Sequence, residues 1–144
     1  MPANVTNVKN AISTALGTLV SGGTLGAKIV DDLKNGIFDL NFPAYPCAVL
    51  TPPSTESKVY TNAQVYRTYV FNIVIVMKGE NITTTTAAEE LSETILDAFD
   101  HDPTLGGVCQ ELEATASPVE AATSRSGSYL AFAVTLRAKS IKQP

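Results

Sequence analysis

Gln64-Val65-Tyr66-Arg67-Thr68-Tyr69-Val70-Phe71-Asn72-Ile73-Val74-Ile75-Val76-Met77-Lys78 is the chain's densest run of β-branched and aromatic residues. Such side chains fit a pleated, partly buried surface, so the run predicts one long strand. Successive side chains of a strand point to opposite faces. The odd face carries Arg67, Tyr69, Phe71, Ile73, Ile75 and Met77; the even face carries Tyr66, Thr68, Val70, Asn72, Val74 and Val76. From Tyr69 onward both faces are apolar. One helix layer covers only one of them, so the other requires a second layer, another sheet or another subunit. Fifteen residues at ~3.3 Å each reach roughly 50 Å. A compact domain of this size is roughly 40 Å across. The strand must therefore bend, break at a bulge or reach past its own domain.

Working outward, Cys47-Ala48-Val49-Leu50-Thr51 reads as a strand led by Pro43 and Pro46 and ended by Thr51-Pro52-Pro53-Ser54. Residues 52–58 read as a polar turn region. Further back, residues 4–20 predict an amphipathic helix, with Val5, Val8, Ile12, Ala15, Leu16 and Leu19 at three- and four-residue steps. Asn4 is its expected N-cap and Gly22-Gly23 its stop. Residues 24–41 are ambiguous, with a short strand expected at 27–30. On the C-terminal side, residues 87–99 predict a second helix whose stripe is Ala88, Leu91, Ile95 and Phe99. Thr86 and Glu89 stand at capping-box spacing, and Asp102-Pro103 and Gly106-Gly107 end the helix. Residues 107–116 and 128–140 are two more strand candidates, with Arg125-Ser126-Gly127-Ser128 as a turn and Pro118 limiting the first. The order helix, strands, helix, strands predicts a single α+β domain over residues 1–144, with a mainly antiparallel sheet and both helices packed on it.

The 144 residues suit one domain with a real core. Hydrophobic residues make up 44 % and charged residues 17 %, which argues against disorder. No apolar run reaches the ~18 residues a membrane span needs. The first residues lack a charged start and an apolar stretch, so no secretory signal is expected and the chain should stay in the cytosol where it is made. Cys47 and Cys109 are then expected to be reduced. The net charge of −4 is sharply segregated. Residues 1–79 hold six basic and four acidic residues; residues 80–124 hold ten acidic residues and no Lys or Arg; residues 125–144 hold four basic and no acidic residues. No broad basic surface follows, which disfavours tight nucleic-acid binding through phosphates.

Motifs for chemistry are sparse. The single histidine, His101 in Asp100-His101-Asp102-Pro103, could serve as a ligand or base, but no second histidine or H-E-x-x-H spacing supports it. A closed zinc site needs about four ligands, and two cysteines with one histidine do not supply them. No Gly-x-Ser-x-Gly elbow or phosphate loop occurs. The sequons at Asn4 and Asn81 carry no meaning without secretion. More informative is the row Glu89, Glu93 and Asp97 at i, i+4 and i+8 with no base among them. Each like-charge pair costs roughly 0.2–0.5 kcal/mol. The row reads either as a solvated face or as an acidic lumen or docking face. Arg67 and Arg137 lie on otherwise apolar or small-residue strands, either snorkelling to a strand end or pairing with a neighbour's carboxylate. Tyr66 and Tyr69 flank Arg67 and are common interface types. Tyr66, Arg67, Tyr69 and Arg137 are therefore the candidate subunit or partner interface.

Phe42-Pro43-Ala44 with Cys47-Ala48-Val49-Leu50, then Tyr60-Thr61-Asn62-Ala63-Gln64-Val65-Tyr66-Arg67-Thr68-Tyr69-Val70-Phe71, then Asp100-His101-Asp102-Pro103-Thr104-Leu105-Gly106-Gly107 after an acidic helix, form a recognisable succession. Over residues 42–139 it resembles the tail terminator (tail completion) proteins of long-tailed bacteriophages. The resemblance implies a ring of identical subunits, usually a hexamer, at the head-proximal end of the tail tube. That ring would halt tube-protein polymerisation and dock the head connector or stopper protein, with DNA passing through its centre without specific binding. It implies a virion protein assembled in the host cytoplasm, with no catalytic residue, no cofactor, no metal and no membrane partner. Other readings are a different neck component, such as a head-completion or stopper protein, and a small α+β enzyme or ligand-binding domain, which a deep pocket with convergent polar groups would mark.

Overall fold

A computed structural model of the chain describes residues 4–30, 44–61, 64–78, 85–124 and 127–142. The first helix, α1 (Val5–Ser21), starts where the Asn4 side chain accepts the Asn7 backbone N–H at 2.8 Å. That bond satisfies a donor with no partner inside the helix. The helix ends at Gly22, whose N–H reaches the Thr18 carbonyl at 2.9 Å. Gly23 follows with φ +83°, a conformation that favours glycine. Val8, Ile12 and Leu16 are its buried residues, at four-residue steps.

Seven strands follow: β1 (Ala27–Val30), β2 (Cys47–Leu50), β3 (Ser54–Thr61), β4 (Gln64–Lys78), and, after helix α2 (Thr85–Asp100), β5 (Glu111–Ala116), β6 (Glu120–Ser124) and β7 (Gly127–Lys142). Together they form one sheet. β4 and β7 run antiparallel through its middle, in register from Val65 opposite Lys142 to Lys78 opposite Tyr129. β2 and β3 pair in turn along the other edge of β4, and β5 and β6 along the other edge of β7. β1 adds to β2 in parallel, and the remaining pairs are antiparallel. The architecture is α+β, as the alternation of helix and strand signals predicts.

Both helices cover the odd face of β4. Val8, Ile12 and Leu16 from α1 and Ala88, Ile95 and Phe99 from α2 share one buried cluster with Tyr69, Phe71, Ile73, Ile75 and Met77 of β4 and with Phe132, Val134, Leu136 and Ala138 of β7. The long strand neither breaks nor carries a bulge against β7; the irregularity lies in its hairpin partner, between Val59 and Thr61. It does outrun the cover. Val65 and Arg67, the first odd-face residues, lie outside the buried cluster, and Val59 beside them is 75 % exposed.

Three expectations need correction. Residues 52–58 are not a polar turn: from Ser54 the chain is strand β3, hydrogen-bonded to the first half of β4. Its residues 54–59 are all exposed, so the strand carries no buried alternation for periodicity to detect. β6 was not expected, and its Glu-Ala-Ala-Thr-Ser is short and weakly β-forming; pairing with β7 decides it. Thr86 is not an N-cap, because α2 already begins at Thr85. The turn at 125–126, the sequon at 81–83, the loop after Val30 and the residues Phe42-Pro43 lie outside the described residues.

Candidate interaction surface

Pairing parity sorts the strand residues onto two faces. Opposite the helices lie Glu56 and Lys58 of β3, Tyr66 to Lys78 at even positions of β4, Tyr129 to Ile141 at odd positions of β7, and Glu111 and Glu113 of β5. This open face has three zones. At one end the Tyr45 ring stands 6.0 Å from the Tyr129 ring and carries the Lys78 ammonium 5.9 Å above its centroid. In the middle, Val74, Ala131 and Ala133 are only half-buried and line a shallow groove of about 240 Å³ with Ser117, Pro118 and Glu120. At the other end Glu56, Lys58, Tyr66, Thr68, Arg137 and Lys139 line a wider depression of about 660 Å³. Between middle and end the Thr135 hydroxyl donates to the Asn72 side-chain oxygen at 2.8 Å.

The candidate interface residues do not form one patch. Tyr66 and Arg137 share the charged depression. Arg137 finds its carboxylate within its own chain, 2.5 Å away at Glu56. Arg67 and Tyr69 face the helix side. Tyr69 is 3 % exposed and belongs to the core. Arg67 is half-buried, and its Nε is buried with no hydrogen-bond acceptor among the described residues. Glu56 was not legible as a partner because β3 was read as a turn. Val74, Ala131 and Ala133 were legible by parity, but their exposure was not.

Lys139 donates to Glu113 at 2.8 Å across the β5–β7 pair. The hydrogen bond from Lys139 holds the Glu113 carboxyl below its usual value, and the bond to Glu113 holds the Lys139 ammonium above its own. A lowered carboxyl favours the fold above its unfolded pKa of about 4.3, and this contribution disappears as pH falls through the folded value. A raised ammonium favours the fold below about 10.4, and its contribution disappears as pH rises through the folded value. Glu113→Gln should therefore flatten both limbs of a stability-versus-pH curve and leave its shape elsewhere unchanged, as urea titrations at acid, neutral and alkaline pH can show. Both groups are exposed, so the effect is small.

Glu89, Glu93 and Asp97 are all exposed on α2, and no Lys or Arg of the described residues bridges to them. Exchanging Glu93 and Asp97 for lysine turns the repulsion between positions 89 and 93 into an attraction, keeps a like-charge pair between 93 and 97, and places a cation near the helix C-terminus. The lost repulsion and the new attraction at 89/93 are worth roughly 0.2–0.5 kcal/mol each and the dipole gain roughly 0.3–1 kcal/mol. Urea unfolding should register a net gain of about 1 kcal/mol. Loss of assembly in that more stable variant would mark the row as a working face; unchanged assembly would leave it a solvated one.

His101 closes α2 rather than facing a cleft: its Nδ1–H donates to the Asp97 carbonyl at 2.6 Å, and the side chain is exposed. The chain then turns through Leu105, Gly106 and Gly107, all at positive φ, with the Gly106 N–H on the Asp102 carboxylate at 2.9 Å. Leu105 is the one with a side chain, and burial in the core holds it there. Both cysteines are buried free thiols. Burial pushes Cys47 up to about 11 and also raises Cys109, so neither is a thiolate at neutral pH. Among the described residues no group of three or more His, Cys, Asp or Glu is placed to hold a metal ion. No described helix is long and apolar enough to cross a membrane. No protein-family model matches the sequence, and no curated protein matches it either.

Proposed function

We propose that this chain is a structural assembly protein of a phage tail. Copies close into a ring, a hexamer by the resemblance, at the head-proximal end of the tail tube. The ring stops the tube protein from polymerising further and docks the head connector or stopper protein, while DNA passes through the centre without specific binding. The protein acts in the neck of the virion after assembly in the host cytoplasm, and its role is mechanical rather than catalytic. One observation carries the reading. The central strands are covered by helices on one face; on the other, Ala27, Cys47, Val49 and Val76 are buried at one end, but the middle leaves half-buried valine and alanine, and the hairpin end reaches past the helices with Val59 exposed. A closed ring supplies cover to every subunit at once through head-to-tail contacts. The succession of motifs in residues 42–139 supports the placement in a tail.

The test is co-assembly. Purified tail tube protein is polymerised with and without this chain, and tubes are measured by negative-stain electron microscopy. Shorter tubes ending in a collar are expected. An unchanged length distribution, with no ring on tube ends or in solution, would overturn the proposal.

A further inference from the structure

Two surfaces on opposite faces of the sheet are each incomplete, and they complement one another. The first is the helix-side end of the β3–β4 hairpin. Val59 and Val65 stand opposite each other there, Val59 is 75 % exposed, and Arg67 follows two residues on. A buried Nε with no acceptor among the described residues is a costly arrangement for an isolated subunit. The residue as a whole is only half-buried, so a carboxylate arriving from outside can pair with its charge without reaching the enclosed Nε. The second surface is the middle of the open face. Its groove is floored by Val74, Ala131 and Ala133, and its rim carries a single charged residue, Glu120. Glu120 is exposed and bridges to no Lys or Arg among the described residues. An apolar floor with an anion on one surface thus answers an apolar pair beside a cation on the other.

We propose that the hairpin end of one copy seats in the open-face groove of the next, with Val59 and Val65 over Val74, Ala131 and Ala133 and the Arg67 guanidinium on the Glu120 carboxylate. This deepens the ring reading and rests on it. The occupant is a second copy because both halves belong to this chain and match in chemistry. The two surfaces differ, so the contact is head-to-tail and leaves one free surface at each end of any open chain of copies. A rotation that closes removes both, giving a ring; a reciprocal two-fold dimer would cover them as well, and sedimentation velocity distinguishes it from a ring.

Charge exchange tests the pairing. Arg67→Glu and Glu120→Arg are made singly and together, with circular dichroism and thermal unfolding to verify each fold. Assembly is read by sedimentation velocity and native mass spectrometry, alone and with tube protein. Each single variant should assemble roughly tenfold or more weakly than wild type, since like charges then face each other across the contact. The combined variant should recover assembly. Mixing equal amounts of the two single variants should also recover it, because alternating copies place opposite charges at every contact, and a purely structural role for either residue predicts no such rescue. Val59→Asp carries the test if Arg67→Glu fails to fold, because a residue this exposed contributes little to the core; it should weaken assembly as well. Wild type that stays monomeric alone and on the tube would overturn the ring itself. Wild type that assembles, with single variants or Val59→Asp that assemble equally well, or with no rescue in the pair and the mixture, would overturn this contact and leave the ring standing.

Discussion

Phe71→Ala should lower the unfolding free energy by about 3–5 kcal/mol. Phe71 is fully buried on the helix side of β4, opposite Leu136 of β7, in the cluster that joins the sheet to both helices. Removing the ring strips its transfer energy and leaves a cavity that two helices resting on a rigid sheet cannot fill by relaxing. Domains of this size have about 5–15 kcal/mol in total, so the variant would lose roughly a fifth of its stability or more. Val70→Ala is the internal comparison. Val70 is the adjacent residue on the open face and only half-buried, so its truncation should cost no more than about 1 kcal/mol. Urea unfolding of both variants checks the asymmetry. Equal losses would mean that the main core does not lie on the helix side of the sheet.

The second large effect belongs to a glycine. A Cβ on Gly26 would stand 2.6 Å from the Tyr45 carbonyl oxygen, 2.9 Å from its carbon and 3.0 Å from its nitrogen. These are backbone atoms, which cannot rotate aside. The same approach lets the Gly26 N–H donate to the Pro46 carbonyl at 2.8 Å, just before β1 takes its place beside β2 with Ala27 opposite Cys47. Gly26→Ala should therefore push β1 from β2 and cost about 1–3 kcal/mol. For a chain of this length that is a fall of roughly 3–10 °C in Tm. Gly22→Ala provides the contrast, since its nearest atom would be an ordinary 3.4 Å away and its φ is −80°. A Gly26→Ala variant that melts with wild type would show that the strands do not approach this closely.

The elements that advertised themselves are those that bury a regular stripe. α1 shows Val8, Ile12 and Leu16 at helical steps, and all three are buried. β4 shows two apolar faces, and its odd face is the sheet's contribution to the core. β3 was illegible because Ser54-Thr55-Glu56-Ser57-Lys58-Val59 is exposed throughout, held by backbone hydrogen bonds that any residue but proline can make. That miss also hid the Arg137–Glu56 pair, since the position of Glu56 follows from the strand. Tyr69 illustrates the limit of parity: the alternation placed it on the right face but could not distinguish a core tyrosine from an interface one. Arg67 stands out in the sequence as a charge on an otherwise apolar strand, yet the lack of an acceptor for its Nε among the described residues is a property of three-dimensional packing alone.

The two central strands meet late in the chain's own coordinates. Lys78 pairs with Tyr129, and Val65 with Lys142, so partners lie more than fifty residues apart. Each central strand nevertheless has a close companion: Thr61 turns back to Gln64, and Ser124 to Gly127. Two short-range hairpins can thus form quickly, whereas joining them must first overcome the entropy of closing the long segment between. Refolding is therefore expected on the millisecond-to-second scale typical of high contact order, with the docking of preformed hairpins as its slow event. Stopped-flow measurements on variants weakened within either hairpin, at Thr55 or Ala121, or at the β4–β7 seam should show slower folding, while Gly26→Ala, which loosens β1 outside both hairpins, should mainly speed unfolding.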